Sequence, residues 1–440
     1  MHLGFLCNPG NSHVTSMAAV GAELKKRGHR VTFFQMPDIE AAVLRAGLEF
    51  CTVGKSRYPL GTIKQIDEKL STLKGLSALF YGVGRCLEQI QMFFEEAPAA
   101  IKNANIDALL IDECEAYGPV IAEYLRLPYI HVSMALPLPF DEGIPPYYTS
   151  WRYRIDAFGR FRNRMGYRMF SHLVKPIMKA VAGQRQRWEL PPQEDRKSRR
   201  ARLASISQLP QHLDFPRILI PRFHYTGPFG LRAARPQIEF PWNKLDGRPL
   251  IYAALGTVMA RPPILRTIAK ACEGLNAQLV LSLGGAPVTA EEIGPLAGNP
   301  ILVAYAPQLE LIQRAALVIT HGGLNTVLEN LAHGVPLVLL PFNNDQPGVA
   351  SRVAWTGAGD FISGKWVSPG GLRKALNRVL SEPSYKQSAQ RIQAEMAGVD
   401  GLYLAANIVE KVLGITTKDA SFQLRPREVN DVPRHAMSVG

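Results

Sequence analysis

Between residues 321 and 346 the chain reads HGGLNTVLENLAHGVPLVLLPFNNDQ, and its polar positions are spaced as a phosphate and a sugar would need them. His321, Gly322 and Gly323 make a turn, and Asn325 and Thr326 follow where a helix would begin. A helix start offers unpaired N–H groups and a positive dipole end, which suits phosphate. Glu329 comes four residues after Asn325 and three after Thr326. It therefore shares their face, about 6 Å further along at 1.5 Å per residue. That is roughly the step from a diphosphate to the ribose of a nucleotide. Asp345 and Gln346 supply an acceptor and an amide able to grip sugar hydroxyls. An HGG turn alone is usually a tight connection, and an Asp-Gln pair is usually solvated. The order and spacing of the whole segment from Tyr305 to Gln346 carry the reading.

The amino-terminal half adds two candidates for proton chemistry. His13 closes the loop Asn8-Pro9-Gly10-Asn11-Ser12-His13 at the entry of the first helix. Imidazole titrates near neutral pH and suits a general base, although an ordinary loop or capping histidine fits the sequence as well. Asp112 ends the apolar run Ala108–Ile111. It could cap a helix, or it could orient the imidazole from a neighbouring strand. Thr257 follows Gly256 after the run Leu250–Leu255, as a second phosphate-facing turn or a plain turn threonine. No clustered carboxylates ask for a metal. The loop after the first strand has one glycine where a dinucleotide fingerprint needs three, which argues against a nicotinamide or flavin enzyme.

These residues need strands and helices to hold them. Ala316–Thr320 reads as a strand, Leu324–His333 as a helix and Val335–Leu340 as a strand, with Gly334 and Pro336 stopping the helix. Two apolar strands joined by a helix form a parallel βαβ unit, whose ligand site lies at the carboxyl strand ends. The amino terminus repeats the rhythm: strand LGFLC, loop NPGNSHVTS, helix MAAVGAELKKRG, strand HRVTFFQ. Gly28 suits the helix end, and Lys25, Lys26 and Arg27 suit its dipole. Further strands are expected at Ile106–Ile111, Tyr129–Val132, Gln278–Leu283 and Ile301–Val303, with a helix near Pro119–Leu125. A Pro- and Gly-rich passage, Thr226–Pro249, separates two doubly wound α/β units. We place the domains at residues 1–229 and 230–414, with the last helix able to pack back onto the first domain. A polar tail over 415–440 is expected to be disordered.

Composition bounds the setting. A chain of 440 residues suits two domains, and 47% hydrophobic residues with a mean hydropathy of −0.03 suit a globular protein. No apolar run approaches the length of a spanning helix, and the amino terminus lacks a signal-peptide layout. Five scattered cysteines fit buried thiols in a reducing cytoplasm. The formal charge of +13 is concentrated in 151–202, where fifteen Lys and Arg face four acids among interleaved aromatics. That stretch reads as a solvated face, as a patch for the inner, anionic surface of a membrane, or as a nucleic-acid site. The nucleotide-binding segment leaves little surface for nucleic acid, so no such partner is expected.

The Tyr305–Gln346 segment resembles the nucleotide-sugar signature of the inverting UDP-glycosyltransferases that act on small molecules. The resemblance implies the GT-B fold: two Rossmann-like, doubly wound domains facing each other across a cleft. It implies that Tyr305 stacks on the base with Gln308 beside it. His321, Gly323, Asn325 and Thr326 would hold the diphosphate, Glu329 the ribose, and Asp345 and Gln346 the donor sugar. Tyr305 and Leu324 depart from the plant pattern, which places tryptophan at both positions. The first-loop His13 and the supporting Asp112 match the family's catalytic pair. A UDP-sugar is then a co-substrate, and neither cofactor nor metal is expected. The leaving nucleoside diphosphate is already a stable anion, so one base suffices, unlike hydrolysis of a glycoside.

The segments 106–146, LASISQLPQHLDFPR and FHYTGPF are most similar to bacterial zeaxanthin (carotenoid) glucosyltransferases, and the likeness runs to about residue 413. This implies glucose from UDP-glucose and a lipophilic hydroxylated acceptor. Macrolide, polyketide and phenolic acceptors remain alternatives, because acceptor choice changes readily within a fold. So do a UDP-sugar epimerase and a catalytically inactive binding protein of the same plan.

Overall fold

Short buried strands alternate with helices from the first residue onward, and they assemble into two separate parallel sheets. The structure, a computed structural model, describes residues 1–415 except 74, 139, 193–201, 218–220, 232–236 and 287. The expected tail past residue 415 lies outside the described residues, as does part of the basic stretch.

The first sheet contains β1 (His2–Leu6), β2 (Arg30–Gln35), β3 (Glu49–Thr52), β4 (Ala108–Asp112), β5 (Tyr129–Ser133), β6 (Arg202–Ser207) and β7 (Phe223–Tyr225). The second contains β8 (Leu250–Ala254), β9 (Gln278–Ser282), β10 (Ile301–Val303), β11 (Ala315–Thr320), β12 (Leu337–Leu339) and β13 (Gly359–Phe361). Their orders are β3-β2-β1-β4-β5-β6-β7 and β10-β9-β8-β11-β12-β13, with every pairing parallel. Helices cover both faces of such a sheet, so central strands such as β1, β4 and β5 are buried throughout, while the edge strand β3 is partly exposed. Side-chain period two sorts them: Leu3, Phe5, Val31 and Phe33 enter one core layer, while Leu6, Phe34, Leu109 and Ile111 enter the other.

In each sheet the strand order reverses direction once, between β1 and β4 and between β8 and β11. Loops diverge to opposite faces at such a point and leave a crevice at the carboxyl strand ends. His13 and Asp112 flank the first crevice. Gly256 and His321 flank the second.

Two devices tie the lobes together. The last helix, Gly401–Val412, returns to the first sheet, where Ala405, Ala406 and Val409 complete the core around Leu3 and Phe5. Gly401 is required there, because a Cβ would lie 2.5 Å from the Gly227 carbonyl oxygen. Arg27, ending the Asn11–Lys26 helix, donates to Glu410 at 2.8 Å and to Asn407 at 2.6 Å. The second device is the carboxylate of Asp214, which accepts from Arg217 at 2.6 Å, Tyr225 at 2.7 Å and Arg352 at 2.8 Å. Arg352 belongs to the Gln346–Thr356 helix of the other lobe, and both partners of this pair are fully buried. Burial alone would raise the Asp214 pKa, but the charges of Arg217 and Arg352 win and hold it below the usual carboxylate range.

Replacing Asp214 with Asn should strand two buried guanidinium groups and cost about 3–5 kcal/mol. The measurement is the thermal midpoint at neutral pH, with Arg248→Ala at the exposed pair with Asp246 as a control that leaves it unchanged. A depressed folded pKa means that the Asp214 contribution is complete above the unfolded value near ~4. The gap between parent and variant should therefore shrink as pH falls toward the depressed value.

Candidate active site

The Pro9-Gly10 pair ends the approach from β1, and Gly10, in an extended conformation, caps the Asn11–Lys26 helix. The helix starts earlier than the loop reading of residues 8–16 allowed. His13 N donates to Gly10 O at 2.9 Å and Val14 N to the same oxygen at 3.0 Å, which places His13 in the first helical turn. Its ring thereby reaches across the crevice to β4. His13 Nδ1 lies 2.6 Å from Asp112 Oδ2, and Asp112 is 0% exposed. The same carboxylate accepts from Asn8 N at 3.2 Å and Cys114 N at 3.2 Å. Nδ1 therefore carries the proton toward Asp112, and Nε2 keeps its lone pair. Burial disfavours the charged imidazole, yet Asp112, then Asp345 and Glu115, outweigh it and raise the His13 pKa.

Asn8 and Glu115 extend this network, and the motif argument missed both. Asn8 Nδ2 donates to Glu115 Oε1 at 2.9 Å, and Asn8 Oδ1 accepts from Gly10 N at 3.0 Å. The loop that carries His13 is thus pinned to the loop after β4. Burial and the adjacent Asp112 charge push the Glu115 pKa up to about 7. The available signal was the acid-rich run Asp112-Glu113-Cys114-Glu115 at a strand end. Among the described residues one group has the composition of a metal site: His13, Asp112 and Cys114 place ligand atoms within 4.8 Å of one another. His13 Nδ1 and Asp112 Oδ2 of this group are engaged with each other in the hydrogen bond above.

In the second lobe the His321 ring sits between two glycines. A Cβ at Gly323 would meet its Nε2 at 2.7 Å, and one at Gly256 would meet its Cε1 at 3.3 Å. Burial lowers the His321 pKa to about 4, with a hydrogen bond to the Ala254 carbonyl opposing, so the ring is neutral at neutral pH. The crossover helix is Leu324–Ala332, capped by Gly323 without a side-chain bond, so its first N–H groups are open to an anion. Thr326 is half-buried in that turn. Thr257 belongs to the short Gly256–Met259 helix beside His321, and its side chain lies outside the described residues. Gln308 donates to Glu329 at 2.5 Å, which joins the expected base and ribose positions. Tyr305 is exposed, and its hydroxyl end lies over Gly285.

The two lobes meet at two of the expected residues, Asn325 and Asp345. Asn325 Nδ2 donates to Ser12 O at 3.2 Å and Ser16 Oγ at 3.1 Å, and its oxygen accepts from Gln208 at 2.8 Å. Asp345 accepts from Leu136 N at 3.4 Å and adds to the charge felt by His13. Gln346 is turned into its own loop, accepting from Phe342 N at 2.9 Å and donating to Asn343 at 3.1 Å. Spacing along the chain predicted none of these engagements. A small pocket between the lobes is lined by Gln208, Asn325, Leu328 and Glu329 with Pro228, Gly230 and Leu231.

The family described as UDP-glucoronosyl and UDP-glucosyl transferase matches residues 6–396. The chain is 31% identical to the zeaxanthin glucosyltransferase of Pantoea ananas, over 94% of this chain and 96% of the relative. It is 29% identical to that of Pseudescherichia vulneris, over 94% and 98%. In three dimensions it is similar to the kitacinnamycin glycotransferase, with a TM-score of 0.71 at 22% identity, over 93% and 98% of the two chains. That likeness supports the two-domain GT-B fold.

The electrostatics make a direct prediction about His13. Asp112→Asn removes the largest influence that raises its pKa, so the NMR titration midpoint of the His13 ring should move to lower pH. Glu115→Gln should move it the same way by less, because Glu115 is the weaker contributor.

Proposed function

The chain belongs to the UDP-glucuronosyl and UDP-glucosyl transferase family and is a glycosyltransferase, and on that premise we propose that it transfers glucose from UDP-glucose, with inversion, to a hydroxyl of a lipophilic small molecule. The observation that carries this reading is the 2.6 Å bond from His13 Nδ1 to Asp112. It presents Nε2 to the cleft while Asn325, at the start of the crossover helix, touches the same turn through Ser12.

Transfer needs one proton removed and one anion stabilised. The acceptor oxygen attacks the anomeric carbon as Nε2 takes its proton. The bond from that carbon to the diphosphate breaks on the opposite face, and UDP leaves as the anion. Asp112 fixes the tautomer and stabilises the imidazolium, which then returns its proton to solvent. The open N–H groups before Thr326, with His321, receive the growing diphosphate charge. Glu329 would hold the ribose hydroxyls in exchange for Gln308, Tyr305 the base, and Asp345 and Gln346 the glucose. In this scheme no metal or cofactor takes part.

A carotenoid such as zeaxanthin is our leading acceptor, because two relatives with full-length likeness bear that name. An aromatic wall supports a greasy acceptor. Tyr147 lies among the electrostatic neighbours of Asp345 and Cys114, and its ring meets Phe170 at 5.5 Å. We place the protein in the cytoplasm, with the basic stretch 151–202 drawing it to an anionic membrane surface. No helix of the described residues is long and apolar enough to cross one.

Calorimetry with UDP and UDP-glucose tests the donor site. Glu329→Ala should weaken UDP binding by about ten- to a hundredfold, the equivalent of a hydrogen bond to a charged group. His13→Ala should keep UDP affinity and lose turnover by about 10²–10⁴-fold, and unchanged turnover would refute the base assignment. Mass-spectrometric detection of added hexose across hydroxylated carotenoids, macrolides and phenols identifies the acceptor. A UDP-sugar converted without any acceptor would instead indicate an epimerase.

A further inference from the structure

The helix Ala157–Leu173 is packed with its small side inward. Its buried residues are Gly159, Asn163 and Gly166. A Cβ at Gly166 would meet Pro146 and Trp151 at 2.9 Å, and Asn163 donates to Glu142 O at 3.0 Å. Five large apolar residues lie on an adjoining, exposed side of the helix. Phe158, Phe161 and Met169 are 60%, 59% and 68% exposed, and Met165 and Leu173 continue the row. At 3.6 residues per turn these five fall within an arc of about 120°. A helix that serves only its own domain turns its large apolar residues inward; here Phe170 is turned in, but five others stay exposed.

Charge is distributed with the same bias. Arg160, Arg164 and Arg168 form an i, i+4, i+8 row along one flank of the stripe. No acid occurs between Asp156 and Glu189, while eight Lys and Arg do. An exposed apolar stripe, with only Arg162 and His172 inside its arc, beside a basic flank in which Arg164 is paired with Glu142 at 2.9 Å, is the pattern of a helix lying in a membrane interface, with side chains at the acyl boundary and bases at lipid headgroups. A second copy would bring like charges together. A nucleic acid would pair with the arginines but would leave the Met and Leu positions in water.

We propose that the outward face of this helix docks on an anionic lipid bilayer, with Phe158, Phe161, Met165, Met169 and Leu173 embedded and the arginine row on phosphate headgroups. This rests on the lipophilic-acceptor reading above and gives it a route. The same helix turns Phe170 inward, stacked on Tyr148 at 5.1 Å and against Tyr147, whose electrostatic neighbours include Asp345. A lipophilic acceptor dissolved in the bilayer is thereby delivered beside the donor sugar.

Vesicle flotation with the full chain tests the proposal, using phosphatidylcholine alone and phosphatidylcholine mixed with phosphatidylglycerol. The parent should float with the anionic vesicles, not with the neutral ones, and high salt should weaken the association. The double change Phe161→Ser with Met169→Ser should lower binding about tenfold or more, and Arg160→Gln with Arg168→Gln should abolish the preference for anionic lipid. Both variants should retain the UDP affinity of the parent, which shows that they fold and separates this proposal from the donor-site reading. Equal flotation of the stripe variant, or no flotation of the parent, overturns the proposal. So does a stripe-dependent dimer seen by light scattering, or stripe-dependent retention on duplex DNA in place of lipid.

Discussion

A carboxylate without access to water stands at the end of β4, and the geometry of the cleft depends on how its charge is met. Asp112 is compensated by two backbone N–H groups and the His13 imidazole. A carboxylate at such depth is tolerable only when its lone pairs are engaged. The bond to His13 is therefore a structural obligation as well as the basis of the proposed proton transfer. It holds the ring in one orientation at the place where the parallel sheet leaves a crevice. Asn8 and Glu115 add a second clamp on the same loop, so the imidazole position is set by the backbone of two strands rather than by one side chain.

The second lobe brings a different electrostatic element to the same gap. Its crossover helix presents open N–H groups, and its histidine is neutral and enclosed by glycines. The lobes are fastened away from the cleft by Arg352 on Asp214 and by the returning C-terminal helix. At the cleft they touch more lightly, through Asn325 and Asp345. Strong ties at the back and weak ones at the mouth suit a hinge that admits a nucleotide and then closes on it.

Much of this was legible in the sequence because parallel strands buried on both faces are apolar throughout. Ile301–Val303 was read residue for residue, and β1, β2, β4, β5, β9 and β11 to within a residue or two. Where the reading failed, the apolar signal was weak. β6 is RLASIS, β13 is Gly359–Phe361 and β7 has 3 residues; each is recruited by a neighbouring strand rather than by its own pattern. The strand expected over Val335–Leu340 shrinks to Leu337–Leu339, since Pro336 has no N–H to give. That Thr326 and Glu329 share one face of one helix follows from spacing alone. The contacts of Asn325 with Ser12 and Ser16 cross some three hundred positions and have no local trace. Likewise the sequence displayed aromatics among the bases of 151–202, yet only packing reveals that Phe161 faces out while Phe170 faces in.

The returning helix bears on how the protein is made. The first sheet emerges from the ribosome well before Ala405, Ala406 and Val409, which fill one layer of its core. The amino-terminal lobe must therefore wait, with an apolar trough uncovered around the Asn11–Lys26 helix, until the helix ending at Val412 has been translated. Such a protein matures as one unit despite having two sheets. Severing it between them would leave an amino-terminal fragment prone to aggregation rather than an independent domain.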